Sequence, residues 1–111
     1  MKKVLIIVGL LIVVFIAVGG FYSWKIYQHF GKVETVQIDP QLTVYLGGGG
    51  NSIVLTSEDG SKVLVVDTKM KKASEKLRET VKAADITIVN THAHLDHTGG
   101  NYLYPSAKII S

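Results

Sequence analysis

The chain has 111 residues, contains no cysteine and carries a formal net charge of +3 at pH 7. This length allows one small domain, and the absence of cysteine excludes disulfide bonds and a lipid-modified cysteine anchor. Residues 1–32 hold four lysines and no acidic residue, whereas residues 33–111 hold eight basic and nine acidic residues. The excess positive charge is therefore confined to the N-terminal segment, and we predict no nucleic-acid partner.

The first predicted element is a membrane-spanning helix. The run from Val4 to Phe21 contains eighteen residues without a charged side chain, which reaches the usual length for a transmembrane helix. Trp24 follows where an interfacial aromatic residue is expected. We therefore predict a signal anchor, or transmembrane helix, over residues 1–27 that contacts membrane lipid through residues 4–24.

The charges that flank the apolar run predict its orientation. Lys2 and Lys3 favour a cytoplasmic N-terminus, a single pass and an extracytoplasmic domain, although Lys25 and Lys32 on the far side weaken this charge difference. A cleavable signal peptide also fits the segment, because small residues follow the apolar core, and the mature protein would then be secreted. The length of the run favours an uncleaved anchor.

The residues after the anchor predict a connector over residues 28–34 and then a partial α/β domain over residues 35–111. Apolar residues bounded by turn residues predict four strands, at residues 33–38, 42–46, 52–56 and 62–66. The four glycines Gly47–Gly50 predict a flexible hairpin turn, because they lack the Gly-Lys-Ser/Thr ending of a phosphate-binding loop and lead into a strand.

A helix and further strands follow this predicted meander. Residues 69–84 show helical periodicity, with Thr68 as the predicted N-cap. The apolar face consists of Ala73, Leu77, Val81 and Ala84. A strand is predicted at residues 85–90, and residues 107–111 predict the beginning of another. The strand–helix–strand order predicts a parallel pair of strands with site residues at their carboxyl ends.

The last complete strand leads directly into residues 91–100, THAHLDHTGG, which hold three of the four histidines of the chain. His92 and His94 are two residues apart, so on an extended backbone both imidazoles leave the same face and can bind one ion. Asp96 and His97 are adjacent, and they reach a shared site only from a curled loop. The two glycines that follow permit such a loop.

Imidazole and carboxylate donors suit zinc, with iron or manganese as alternatives. The four side chains could bind one tetrahedral ion, or two of them could bind each of two ions that together activate a hydroxide. A histidine-rich surface turn without metal is the alternative interpretation of this segment.

These residues carry a resemblance to a known family. The segment THAHLDHTGGN is similar to the His-x-His-x-Asp-His signature of the metallo-β-lactamase-fold hydrolases, and LTVYLGGGGNSIVLTSEDGSKVLVVDTKM resembles the opening strands of that family. The resemblance covers roughly residues 35–111. It implies an α/β fold, namely the N-terminal half of a metallo-β-lactamase-type αββα sandwich, preceded here by a transmembrane helix.

The resemblance also implies a role for each site residue. It implies that His92 and His94 bind the first metal ion and that Asp96 and His97 bind the second, with zinc expected at both positions. Asp67 matches an aspartate that ends an early strand and supports the metal site from outside the ligands. A carboxylate there could accept a hydrogen bond from a ligand imidazole. The alternative role for Asp67 is that of an acid at the start of the following helix.

The implied activity is metal-dependent hydrolysis of a small molecule. Hydroxide formed at the metal would attack an ester, amide, thioester or phosphoester-type bond, and Asp96 would orient it or accept its proton. The family also needs two further histidines and a bridging aspartate downstream, and no histidine or acidic residue follows Gly100.

We therefore expect an incomplete N-terminal part that is inactive alone and leaves one sheet face uncovered. A missing C-terminal half or a partner chain would complete the site and cover the sheet. The alternative is a non-catalytic anchored module that binds metal or serves as an interaction surface.

Overall fold

A long N-terminal helix, α1, runs from Lys2 to Phe30 in the computed structural model, which describes all of residues 1–111. None of its 29 residues is buried, and it is long and apolar enough to cross a membrane. Membrane anchors and N-terminal signal sequences share these properties. The predicted connector, residues 28–34, comprises the last residues of α1 and the first residues of the sheet.

Six strands form a single sheet in which each strand pairs with its neighbours in the sequence. They are β1 (Val33–Gln37), β2 (Leu42–Gly47), β3 (Ser52–Thr56), β4 (Lys62–Val66), β5 (Asp85–Val89) and β6 (Lys108–Ile110). The first four strands form an antiparallel meander, whereas β5 lies parallel to both β4 and β6. The predicted strands are therefore present, and their ends differ from the prediction by no more than one residue.

One helix, α2 (Lys71–Thr80), connects β4 to β5 and packs on one face of the sheet. Leu77 on this helix is fully enclosed and belongs to the same hydrophobic core as Val65 of β4 and Ile88 of β5. Burial of these side chains holds the two parallel strands and their crossover helix together. The strand–helix–strand unit confirms the mixed α/β class expected from the sequence.

The start of α2 differs from the prediction. Thr68 does not cap the helix, because Met70 occupies the N-cap position and makes no side-chain hydrogen bond. The Thr68 hydroxyl donates instead to the Oδ1 atom of Asn101 at 2.7 Å. Asp67 and Lys69 have positive φ angles of 60° and 61°, so the chain enters the helix through an irregular, left-handed segment.

The helix also ends earlier than the periodicity predicted. Val81 has an extended backbone and stops α2 after Thr80, although its side chain stays buried in the core. Ala84 is exposed and lies outside the helical face to which it was assigned. The apolar periodicity extended beyond the end of the helix because Val81, in the turn that follows, is also buried.

The sheet face opposite α2 has no covering layer within this chain. Along β3, the exposed side chains of Ile53 and Leu55 alternate with the buried residues Ser52 and Val54. This alternation is the period of two expected of a strand that buries one face. The sheet is therefore covered on one face only, and the outer face carries exposed apolar side chains.

We expect Leu77→Ala to lower the free energy of unfolding by about 2–5 kcal/mol, because the substitution opens a cavity between α2 and the sheet. Guanidinium unfolding of the full chain, followed by circular dichroism, measures this loss. Glu79→Ala on the exposed side of α2 is the matched control and should change the value by no more than about 0.5 kcal/mol. Equal midpoints for the two variants would contradict this description of the core.

Candidate metal centre

The predicted site residues lie at the carboxyl ends of the neighbouring parallel strands β4 and β5. Asp67 directly follows β4, and its backbone N–H donates to the carbonyl oxygen of Val89 at 2.9 Å. The chain bends after β5 and forms a single helical turn, α3 (Leu95–Thr98), which carries Asp96 and His97. The parallel register of the two strands therefore brings residue 67 and residues 91–97 to one edge of the sheet.

The three imidazole rings of this segment lie next to one another. The ring centroids of His92 and His94 are 4.7 Å apart, and those of His92 and His97 are 4.1 Å apart. His92 and His94 are exposed, whereas His97 is partly buried. The structure thus brings together all three histidines that the sequence singled out, with the ring of His92 between the other two.

Asp67 is the buried carboxylate of the site, and three hydrogen bonds hold it. Its Oδ1 accepts from the backbone N–H of Thr91 at 2.8 Å, and its Oδ2 accepts from the Thr91 hydroxyl and from Nδ1 of His97, both at 2.7 Å. Burial raises the pKa of Asp67, but these hydrogen bonds outweigh it and bring the pKa below its ordinary value of 3.8.

The ionised carboxylate of Asp67 fixes the protonation of His97. An ionised carboxylate can only accept hydrogen bonds, so Nδ1 of His97 carries a proton, and in the neutral ring the lone pair is then on Nε2. Nε2 lies 3.4 Å from Oδ2 of Asp96. Asp67 does not belong to the first turn of α2, which has no acidic residue. The geometry is that of a carboxylate orienting a ligand imidazole, and its role toward a metal stays a prediction.

The donors do not form a complete coordination sphere. No group of three or more histidine, aspartate or glutamate side chains is arranged so that it could hold one ion. The Nδ1 atom of His92 lies 2.9 Å from the hydroxyl of Thr91, which therefore competes for that nitrogen. The assignment of His92, His94, Asp96 and His97 as ligands stays a prediction. The donor chemistry nevertheless fits zinc, because imidazoles and a carboxylate adjoin and one tautomer is already fixed.

The glycine turn between β2 and β3 packs against this site, a contact that the sequence did not predict. A Cβ atom added to Gly50 would lie 2.8 Å from both the carbonyl oxygen of Asp96 and Cε1 of His97. One added to Gly49 would lie 3.0 Å from Cβ of Asp96. These two glycines are therefore required by the close approach of α3, and the turn forms one wall of the site.

The glycine pair after His97 permits the curled turn through the space that it leaves and not through a left-handed backbone. Gly99 and Gly100 have ordinary negative φ angles of −63° and −93°. A Cβ atom at Gly99 would lie 2.5 Å from the carbonyl oxygen of Leu95 in the same turn and 2.8 Å from Cβ of Met70. The pair is needed because α3 curls tightly and passes close to the segment between β4 and α2.

Lys69 is a buried residue near the site whose role the sequence did not predict. The sequence predicted Lys69 as the first residue of a helix and outside its apolar face, yet it is fully buried and lies before α2. Its Nζ donates to the carbonyl oxygens of Tyr45, Gly47 and Gly50 at 3.0, 2.5 and 2.5 Å. Burial lowers the pKa of Lys69 to about 8, and the nearby Asp67 carboxylate opposes that shift. No sequence signal separates Lys69 from its exposed neighbours.

Comparisons with known proteins match this fold. Residues 45–111 match the sequence model of a family described as the metallo-beta-lactamase superfamily. A metallo-beta-lactamase from Cronobacter sakazakii, a HARLDQ-motif mutant, is similar with a TM-score of 0.58 and 28% identity over 72% of this chain. Metallo-beta-lactamase SMB-1, solved with 2-mercaptoethanesulfonate, is similar in fold with a TM-score of 0.57 and 20% identity, also over 72% of this chain. This chain covers 34% of each of those two chains, and no curated protein matches it.

We expect Asp67→Asn to destabilise the fold by about 1.5–3 kcal/mol, because the amide cannot accept all three hydrogen bonds. The folded pKa of Asp67 lies below that of the unfolded chain, so its contribution is present above about pH 4 and is lost as the pH falls through the folded pKa. Imidazole nitrogen-15 shifts should show the Nδ1–H tautomer of His97 in the wild type and a mixture in the variant. Asp85→Asn, at an exposed carboxylate, is the control, and an unchanged tautomer and stability in Asp67→Asn would refute this geometry.

We expect Lys69→Met to destabilise the chain by about 3 kcal/mol or more, because three carbonyl oxygens, of which those of Tyr45 and Gly50 belong to buried residues, lose their donor. Guanidinium unfolding measures the loss, and amide hydrogen exchange should quicken across residues 47–51. Lys82→Met removes an exposed ammonium and serves as the control. A wild-type midpoint for Lys69→Met would show that the ammonium does not hold the glycine turn.

Proposed function

Because the chain belongs to the metallo-beta-lactamase superfamily, we propose that it forms the N-terminal part of a membrane-anchored, zinc-dependent hydrolase. The observation that carries this proposal is the histidine cluster at the ends of β4 and β5. Three imidazoles adjoin there, and the buried carboxylate of Asp67 orients one of them. Sites in α/β proteins form at this edge of the sheet.

Each residue has a specific task in the proposed site. His92 and His94 bind the first metal ion, whereas Asp96 and His97 bind the second. Zinc, when bound, lowers the pKa of water so that hydroxide is available near neutral pH, and iron or manganese could replace it. Asp67 keeps the proton of His97 on Nδ1 and leaves Nε2 free to bind. Asp96 orients the attacking water and accepts its proton.

The proposed reaction is hydrolysis of a small molecule that contains an ester, amide, thioester or phosphoester-type bond. The chain covers 34% of the two similar metallo-beta-lactamases, so further polypeptide or a partner chain would supply the remaining ligands and the substrate pocket. The exposed apolar side chains of Ile53 and Leu55 provide the sheet face on which that layer would pack.

The proposed location is the membrane, with α1 as a single-pass anchor. Its side chains are exposed along the whole helix, and only lipid would bury so many apolar groups. Lys2 and Lys3 would stay in the cytoplasm and place the catalytic domain outside, although Lys25 and Lys32 at the other end of the apolar run reduce this charge difference. Cleavage of α1 as a signal peptide would instead release the domain, and N-terminal sequencing of the mature protein distinguishes these outcomes.

A non-catalytic anchored module is the second candidate. It is favoured by the lack of any group of three donors arranged for one ion within this chain. Such a module would bind metal weakly or serve as an interaction surface for a partner. The reading frame downstream of Ser111 separates the candidates, because an enzyme needs a further histidine and a bridging aspartate there.

We expect the longest natural polypeptide that contains this segment to bind about two zinc ions and to hydrolyse at least one of a panel of ester, thioester, phosphodiester and β-lactam substrates. A chelator should abolish hydrolysis, and added zinc should restore it. His94→Ala should lose at least one zinc ion and lower kcat/KM by about 100-fold or more. His29→Ala, which changes the one histidine outside the cluster, is the matched control.

Two outcomes would contradict parts of this proposal. Unchanged zinc stoichiometry in His94→Ala would refute its assignment as a ligand. Bound zinc without hydrolysis of any substrate class in the panel would favour the non-catalytic module.

A further inference from the structure

The C-terminal end of α1 docks against the start of α2 through lysine side chains. The ammonium groups of Lys71 and Lys72 lie 5.7 and 5.2 Å from the ring centroid of Tyr27. Lys76 Nζ donates to the carbonyl oxygen of Gly31 at 2.7 Å. Three lysines of α2 therefore contact the C-terminal end of α1 and the residue that follows it.

No acidic side chain forms an ion pair with the lysines at this point. Lys71, Lys72 and Lys76 are exposed, as are Lys25 and Lys32 on and after α1. We call these five residues the juxtamembrane lysine cluster. The two short contacts between a basic side chain and a carboxylate both involve the imidazole of His97, so none of these lysines is paired with an acid.

The helix end alone does not account for so much positive charge. The C-terminus of a helix carries only about half a negative charge, which Lys76 already contacts through the carbonyl of Gly31. No acidic residue occurs before Glu34, and the first turn of α2 has none. The juxtamembrane lysine cluster therefore keeps an excess of positive charge that faces the surroundings.

The length of α1 places this cluster at the level of lipid headgroups. The apolar run ends at Phe21, and Trp24 follows as the interfacial aromatic residue. At about 1.5 Å per residue, Tyr27 lies about 9 Å beyond Phe21 and about 4.5 Å beyond Trp24 along the helix. The headgroup layer extends about 5–7 Å beyond each side of the hydrocarbon core. The ammonium groups beside Tyr27 thus lie at the outer edge of the headgroup layer, within a Debye length of about 8 Å from the lipid phosphates.

We infer that the juxtamembrane lysine cluster binds the phosphates of anionic lipids around α1 and holds the domain against the membrane surface. This inference rests on the proposed membrane anchor and is independent of the proposed chemistry. It also fixes the site relative to the bilayer. A Cβ atom added to Gly49 would lie 3.7 Å from Phe30 of α1 and 3.0 Å from Asp96, so one glycine turn separates the anchor from the candidate metal centre.

Trp24 is the only tryptophan of the chain and reports on the lipids next to the cluster. The full chain is reconstituted in phosphatidylcholine vesicles that contain equal fractions of brominated phosphatidylglycerol or brominated phosphatidylcholine. Bromine quenches tryptophan on contact, so the ratio of the two quenching efficiencies measures the preference for anionic lipid. We expect local enrichment of the anionic lipid of about fivefold for each lysine that contacts a headgroup, which high salt should reduce.

Matched charge changes test whether this cluster is responsible. Lys71→Glu with Lys72→Glu should abolish the preference for the anionic lipid. Lys62→Glu with Lys82→Glu makes the same change in net charge at the amino end of β4 and beyond α2, and should preserve the preference. Lys71→Gln with Lys72→Gln removes the two charges without reversing them and should weaken the preference. This neutral variant tests the inference if the double glutamate variant does not fold.

Equal quenching by the two lipids in the wild type, or a preference that survives in both α2 variants, would overturn the inference. Absence of quenching by either lipid would show that α1 is not inserted and would overturn the anchor together with the inference. Zinc content and hydrolysis do not enter this readout, so failure of the proposed chemistry leaves the result unaffected.

Discussion

The hydrogen bonds of the Asp67 carboxylate are the contacts on which the site depends. This side chain ends β4, and it accepts from the backbone and hydroxyl of Thr91 after β5 and from Nδ1 of His97 on α3. A single buried acid therefore connects the ends of two parallel strands and sets the tautomer of one imidazole. Its pKa stays low because these donors outweigh the cost of burial, so the acid remains ionised at neutral pH.

Lys69, two residues after Asp67, is the buried cation of the same segment between β4 and α2. Its buried ammonium holds the carbonyl groups of the glycine turn, and the turn in turn packs against Asp96 and His97. Burying a charge is costly, and three hydrogen bonds to carbonyl oxygens offset that cost. The segment between β4 and α2 therefore supplies one negative and one positive group, each of which fixes a different wall of the candidate metal centre. Its left-handed backbone allows both side chains to point inward.

The regular parts of this fold could be predicted from the sequence because each is governed by local periodicity. The short apolar runs within β3 and β4 are bounded by turn residues, and this pattern predicts strands without any knowledge of remote contacts. The start of α2 could not be predicted, because the helix begins only at Lys71, and Thr68 instead lies in the irregular segment before it, where its hydroxyl donates to Asn101, which is remote in sequence. Burial of Lys69 could not be predicted for a related reason: its three acceptors lie at the end of β2 and in the glycine turn, about twenty residues earlier, and composition places it among solvated lysines.

X-ray absorption at the zinc edge most directly tests whether the imidazoles at the edge of the sheet bind a divalent cation. The zinc-loaded full-length protein should show nitrogen or oxygen neighbours at about 2.0–2.1 Å, with the outer-shell scattering of at least two imidazole rings per zinc site. His94→Ala should lose one ring from this pattern. A first shell of oxygen neighbours without imidazole scattering would contradict the convergence of His92, His94 and His97 on a metal.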